Sequence, residues 1–318
     1  MFDVVALGEL LIDFTCVSQD AQGYPTMAAH PGGAPANFLA ALAKFGAKAA
    51  MIGKVGDDTF GKLLLSTLKS AGISTDAMVC DDKVFTTLAF VTLDETGDRE
   101  FAFARKPGAD TYLHLDEIDL SVIDDTKVLH YGTLSLTNEP ARSATYAVVE
   151  YARTAGKLIT FDPNLRKPLW ADMEEAKKQM LWGLMHADVV KISDEEVEFL
   201  FNLAPQEGAR YILKNFGVKL VFVTCGAQGC FVANEQAEGF APSLTDIKVV
   251  DTTGAGDIFG GSAVFKLLQT GKAPETLSKE ELLEITSFAC TSAGLSTTKP
   301  GGISSVAEYE EIIGRLPK

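Results

Sequence analysis

The sequence predicts an α/β fold, a mostly parallel sheet with helices on both faces. Three observations carry that reading. Short apolar, β-rich runs alternate with amphipathic stretches of helical period along most of the chain. The runs read as buried strands, as parallel sheets covered on both faces require. Polar clusters such as FDPNLR and VTCG follow them, at the carboxyl ends where open α/β sheets bind ligands. At 318 residues, 47% hydrophobic and 22% charged, the chain can bury one large core.

DVVALGE (Asp3–Glu9) is the first strand, and APANFLAALAKFG the first helix, with Pro35 in its first turn and Gly46 as its stop. KAAMIGKV is the next strand, and FGKLLLSTLKSAG a helix closed by Gly72. KVLHYG, a helix over about 138–155, KLITFD, a further helix and ADVVKIS continue the alternation. KLVFVTCG follows, and helices over about 256–269 and 280–295 close the chain.

One segment breaks the pattern. FTTLAFVTLDETGDREFAFAR (Phe85–Arg105) reads as two alternating strands with a turn at Glu95–Asp98. With the extended stretch over about 14–30 it predicts a small sheet standing off the main body. Such a lid can cover a cleft, or pair with its twin in a homodimer to hide its edges.

The bulk properties narrow the function. A net charge of −15 argues against nucleic acid or an anionic membrane surface as partner. No apolar run is long enough to span a bilayer, and Asp3, Glu9 and Asp13 interrupt any leader-like N-terminus. Cys16, Cys80, Cys225, Cys230 and Cys290 are scattered, with no metal spacing, as buried reduced thiols are. His30, His114, His130 and His186 are isolated too. A cytoplasmic location is expected.

Two glycine-bearing stretches invite a phosphate reading. GDDTFGKL (Gly56–Leu63) ends in Leu where a P-loop needs Ser or Thr, and Asp57 and Asp58 oppose phosphate, so it predicts a helix N-terminus. DTTGAGDIFGG (Asp251–Gly261) follows an apolar run and opens a helix. Amides of Gly254, Ala255 and Gly256 would converge with the helix dipole into an anion hole, although the loop contains no lysine. Asp257 is either a capping residue or a general base. Beside an anion hole, a carboxylate that orients a hydroxyl and takes its proton is what phosphoryl transfer to an alcohol needs.

GGAPANFLAALAKFGAKAAMIGKVGDDTFG (Gly32–Gly61) and DTTGAGDIFGG together resemble the two signatures of the ribokinase-like carbohydrate kinases, which include fructokinases. The resemblance covers nearly the whole chain. It implies one domain over 1–318, a ribokinase-like three-layer α/β/α sandwich with a small β-sheet lid from about 14–30 and 85–105. It implies Asp257 as catalytic base, with Gly254, Ala255 and Gly256 as the anion hole. Asp13, Gly33 and Asn37 match sugar contacts. Arg105, in FARKPGAD, and Arg166, in FDPNLR, are further substrate candidates, with a surface arginine and a turn as their plain readings.

KISDEEVEFL resembles the family's metal-associated N-x-x-E segment with Ser193 in place of Asn. Glu196 would act on Mg²⁺ through water, and Ser193 also suits a helix cap. Thr224, Gly226 and Gly229 resemble the turn that contacts nucleotide phosphates, with an adenine pocket near Ala289–Ser296. Asp251 and Thr253 align with a monovalent-cation loop that Pro300–Ser304 would complete for K⁺, and a plain turn explains the same residues.

The implied function is an ATP- and Mg²⁺-dependent sugar kinase, with D-fructose as acceptor, since FARKPGAD most resembles fructokinases. The alternatives are 2-keto-3-deoxygluconate or an aminoimidazole riboside as acceptor, and a non-catalytic sugar-binding regulator on a kinase scaffold. A nicotinamide dehydrogenase is opposed by GELLID, where the first strand should lead into G-x-G-x-x-G.

Overall fold

The computed structural model describes residues 1–93 and 99–316. The predicted turn at Glu95–Asp98 lies outside them. Among the described residues the larger sheet runs in the order Glu238–Pro242, Gly229–Asn234, Leu220–Thr224, Val189–Ser193, Leu158–Asp162, Thr126–Gly132, Phe2–Leu7, Ala49–Gly56 and Ile73–Ser74, with Met78–Asp81 also beside Ala49–Gly56. From Leu220–Thr224 to Ile73–Ser74 all pairings are parallel. At the far edge, Gly229–Asn234 runs antiparallel to both neighbours, a hairpin the sequence reading did not anticipate.

The period of two along a strand explains the layers. In the first strand Val5 and Leu7 enter one core, packed with residues of the helices Ala141–Thr154, Met173–Met185 and Pro205–Phe216. Val4 and Ala6 face the other way, into a core shared with the helices Ala34–Lys44, Ala255–Thr270 and Lys279–Ser296. Each such side chain is fully buried, worth roughly 1.5–3 kcal/mol for a Val or Leu. The α/β/α sandwich is as expected.

The smaller sheet is ordered Pro25–Gly32, Leu11–Gln19, Leu88–Leu93 and Arg99–Ala104. Its central pair, Leu11–Gln19 and Leu88–Leu93, is parallel, and the outer pairings are antiparallel. The lid strand therefore begins at Leu11, which puts Asp13 at its root.

GDDTFGKL folds as a helix start. Asp58 caps the Thr59–Ser70 helix, its Oδ1 accepting from the amides of Phe60 and Gly61 at 2.8 Å. Gly261 has a packing role. A Cβ there would lie 2.2 Å from the Phe38 carbonyl oxygen, so its absence lets the Ala255–Thr270 helix sit against Ala34–Lys44. That contact joins the two signature helices.

Candidate active site

Asp257 lies in the first turn of the Ala255–Thr270 helix, which starts at Gly254 with φ 75° and has no side-chain cap. Both its oxygens are held. Asn37 Nδ2 donates to Oδ2 at 2.9 Å, and Asn164 Nδ2 donates to Oδ1 at 3.1 Å. Asn164 follows the Leu158–Asp162 strand with φ 45°, a left-handed conformation that Asn accepts more readily than most residues. Burial raises the Asp257 pKa above the ordinary carboxylate value, against the pull of Lys191, Asn37 and Arg166. A raised pKa makes a carboxylate a better base near neutral pH.

Asp257 faces a cavity of about 160 Å³ beneath the lid, lined also by Glu9, Asp13, Gly33, Asn37, Asn164, Arg166 and Gly254. The structure thus brings Asp13, Gly33, Asn37 and Arg166, all candidates for substrate contact, to one cavity. Asn37 does more than line the cavity, because it also orients the base. Burial lifts Asp13 to about 6, with Asp257 and Asp251 assisting and Arg166 opposing. Burial likewise lifts Glu9 to about 7, and its Oε1 accepts from the Ala34 amide at 2.8 Å.

A second cavity of about 260 Å³ is lined by Thr224, Gly226, Gly229, Ile247, Val249, Phe259, Ala293 and Gly294, and by Ala255 and Gly256. Thr252 lines both cavities. The glycine turn therefore forms the partition, with Asp257 on the acidic side and the Ala255 and Gly256 backbone on the apolar side. A hydroxyl in the first cavity and a polyphosphate entering from the second would meet at this helix N-terminus.

Arg105 is not part of this constellation. Its Nε and one Nη donate to Asp110 Oδ2 at 2.9 and 2.6 Å, and further bonds reach Thr137 and the Leu134 carbonyl. The counter-ion stands five residues on in the same FARKPGAD motif, so the arginine anchors the lid's root inside the body. Ser193 lines neither cavity. Its Oγ accepts from the Glu196 amide at 3.2 Å, while Glu196 accepts from the Ser193 amide at 2.9 Å, a capping box.

Glu196 also accepts from the Leu165 amide at 2.7 Å, which ties it to the FDPNLR turn. Two lone-pair sites remain on its carboxylate. Among the described residues no group of three or more His, Cys, Asp or Glu could hold a metal alone. That donor set fits Mg²⁺ carried mainly by phosphates and water. Asp251 accepts from the Thr253 amide and hydroxyl and from the Gly301 amide, at 2.9, 2.7 and 2.9 Å. The two segments expected to form a cation loop are thereby side by side.

The residues missed by sequence reasoning are Glu9, Asn164, Asp162 and Lys191. The glycine loop contains no lysine, but the fold brings one to it. Lys191, from the Val189–Ser193 strand, donates to Asp162 Oδ2 at 3.0 Å and is the largest charge opposing the rise in the Asp257 pKa. GELLID and FDPNLR did contain Glu9 and Asn164. Lys191 left no signal, being one polar residue inside an apolar strand.

With this geometry in view, similarity decides the family. Residues 1–308 match the model of the pfkB family of carbohydrate kinases. The chain belongs to that family. The chain is 40% identical over 319 residues to fructokinase-1 of Zea mays, covering 99% of this chain and 98% of the relative. It superposes on a fructokinase of Xylella fastidiosa with bound ATP at a TM-score of 0.90 and 29% identity, covering 99% and 98% of the two chains. A fructokinase double mutant of Vibrio cholerae O395, bound to fructose, ADP and potassium, gives 0.87 and 30% over 99% of each. The family is one of sugar kinases, and this chain is an enzyme of that class. Among the described residues no helix is long and apolar enough to cross a membrane.

Proposed function

We propose that this enzyme transfers the terminal phosphoryl group of ATP to the primary hydroxyl of D-fructose, giving fructose 6-phosphate and ADP. The observation that carries the reading is the position of Asp257 on the partition between a polar, acid-lined cavity and an apolar, glycine-rich one. The names of the relatives and the ligands of the solved neighbours support the choice of substrates.

The acceptor cavity presents Glu9, Asp13 and Asp257 against Arg166 as its lining cation. A neutral polyol is suited to such acceptors, whereas the carboxylate of 2-keto-3-deoxygluconate meets like charge. Asp257 takes the proton of the sugar hydroxyl as its oxygen bonds to phosphorus and the bond to the ADP oxygen breaks. The amides of Gly254–Gly256 bear the charge that develops, and Arg166 adds a cation at the cavity wall. Mg²⁺ bound with ATP would neutralise phosphate charge, with Glu196 contacting it through water, and K⁺ would sit behind the turn at Asp251 and Thr253.

The reading extends to a homodimer through the lid, supported by two exposed apolar side chains on it, Val17 on the Leu11–Gln19 strand and Tyr24 just before Pro25–Gly32. Light scattering of the purified protein should give twice the chain mass, and a monomer at micromolar concentration contradicts it. The substrate is tested by following ADP release with fructose, other hexoses, ribose, 2-keto-3-deoxygluconate and aminoimidazole riboside. Fructose should give the highest kcat/KM. Preference for the acid sugar would overturn the assignment.

A further inference from the structure

Behind the anion-binding turn, lining neither cavity, lies the buried ion pair of Lys191 and Asp162. Their side chains are 12% and 8% exposed. A Cβ built on Gly256 would meet Lys191 Nζ at 3.0 Å, with Lys191 Cε as its next neighbour. The ammonium therefore packs directly against the Gly256 backbone, close enough that any side chain there would have to displace it by a few tenths of an ångström. Asp162 Oδ1 is buried with no hydrogen-bond partner among the described residues. Lys191 and Asp162 line a small space of about 20 Å³ with His130 and Thr160, room for about one water molecule. His130 brings no charge to it, because burial, aided by Lys191, lowers its pKa to about 3.

A buried ion pair is a poor device for stability, since taking two charges out of water costs several kcal/mol each and apolar residues often replace such pairs without loss. Its position suggests another use. We propose that Lys191, anchored by Asp162, is a positioning residue for phosphoryl transfer: it supports the Gly254–Gly256 turn from behind and supplies the positive field that keeps Asp257 ready to accept a proton. This rests on the kinase reading above.

The groups facing Asp257 are Lys191, Arg166, Glu196, Asp13 and Asp162, with Asn37 and Asn164 on its oxygens. Three of the five charged groups are acids that raise its pKa. Lys191 opposes them more strongly than Arg166 does. Removing Lys191 therefore raises the Asp257 pKa further, and the fraction of ionised base falls at mildly acidic pH.

The test compares wild type with Lys191→Met, Lys191→Arg and the double variant Lys191→Met/Asp162→Asn, which leaves no uncompensated buried carboxylate if the single change prevents folding. The acid limb of kcat/KM for fructose should move to higher pH in both Met variants, less in the double, because Asp162 also acts on Asp257. The loss should be about tenfold at pH 6 and shrink toward pH 8.5, with KM for ATP within about twofold of wild type. Lys191→Arg, which keeps the charge, should retain the wild-type limb. Isotope-edited infrared titration of Asp257 in the ligand-free proteins should show the same order of pKa values without any turnover. Coincident acid limbs and coincident Asp257 titrations in wild type and the Met variants would overturn the proposal. Failure of wild type to phosphorylate any sugar would overturn the substrate reading instead, while the infrared titration still judges Lys191.

Discussion

The two cavities that meet at Thr252 are built by opposite rules. The cavity beneath the lid is crowded with ionisable and amide groups that hold one another, from Glu9 on the Ala34 amide to Asn37 and Asn164 on Asp257. Among the described residues the other side has no charged lining residue, and it is shaped by Ile247, Val249, Phe259, Ala293 and glycine backbone. A site that must tell one polyol from another needs fixed hydrogen-bond partners, because unpaired buried polar groups penalise the wrong ligand. A site for a purine and a phosphate chain can rely on shape, apolar contact and backbone amides.

Consequences of this contrast can be ranked. The largest loss is expected from Asp257→Asn, which keeps the shape and both amide neighbours but removes the base. Its kcat should fall about 10³-fold with fructose while sugar binding persists, and steady-state kinetics beside calorimetry would show it. A kcat within tenfold of wild type would break the assignment of the base.

Next comes Asn164→Ala, which frees one oxygen of Asp257 from the Leu158–Asp162 turn. A drop in kcat of about ten- to hundredfold is expected, with KM for ATP little changed. A rise in KM for ATP alone would mean that Asn164 serves the other cavity.

The smallest effect concerns stability. Glu9 titrates at about 7 in the fold against an ordinary value of 4.5. A raised carboxylate pKa means that the folded state holds its proton more tightly than the unfolded state. The stability gained from that proton is full below about pH 4.5 and is lost as pH rises through 7. Glu9→Gln removes the buried charge yet can still accept from Ala34. The melting temperature of the ligand-free variant should exceed wild type by about 2–4 °C at pH 8 and approach it at pH 5. A lower melting temperature at pH 8 would show that the ionised carboxylate is stabilising.

The same contrast explains what could be read from the chain. The strand and helix order was legible because apolar period and glycine stops are local. Asp13 and Asn37 were named only through the resemblance to the family's signatures, and Asp257 through that resemblance and its place in a glycine loop at a helix start; the structure lines one cavity with all three. The bonding of Arg105 was not legible, because besides Asp110 it engages Thr137 and the Leu134 carbonyl, some thirty residues on. Lys191 and Asp162 stand at strand positions, and only the parallel packing of Leu158–Asp162 beside Val189–Ser193 makes them a pair. The apolar cavity was partly legible: Thr224, Gly226, Gly229 and the Ala289–Ser296 stretch were expected beside the nucleotide and contribute to its lining, whereas Phe259 looks like a core residue in the sequence. The antiparallel edge hairpin was missed alongside it.

The division of labour between the cavities is tested most directly by calorimetric titration of fructose and of a non-hydrolysable ATP analogue into wild type, Asp13→Asn and Ala293→Leu. The structure predicts that Asp13→Asn weakens fructose binding by about tenfold or more and leaves the nucleotide unchanged. Ala293→Leu, which fills the apolar cavity, should weaken the nucleotide by a similar factor and spare fructose. If either substitution weakens both ligands equally, or weakens the opposite one, the two cavities do not have the separate roles assigned to them.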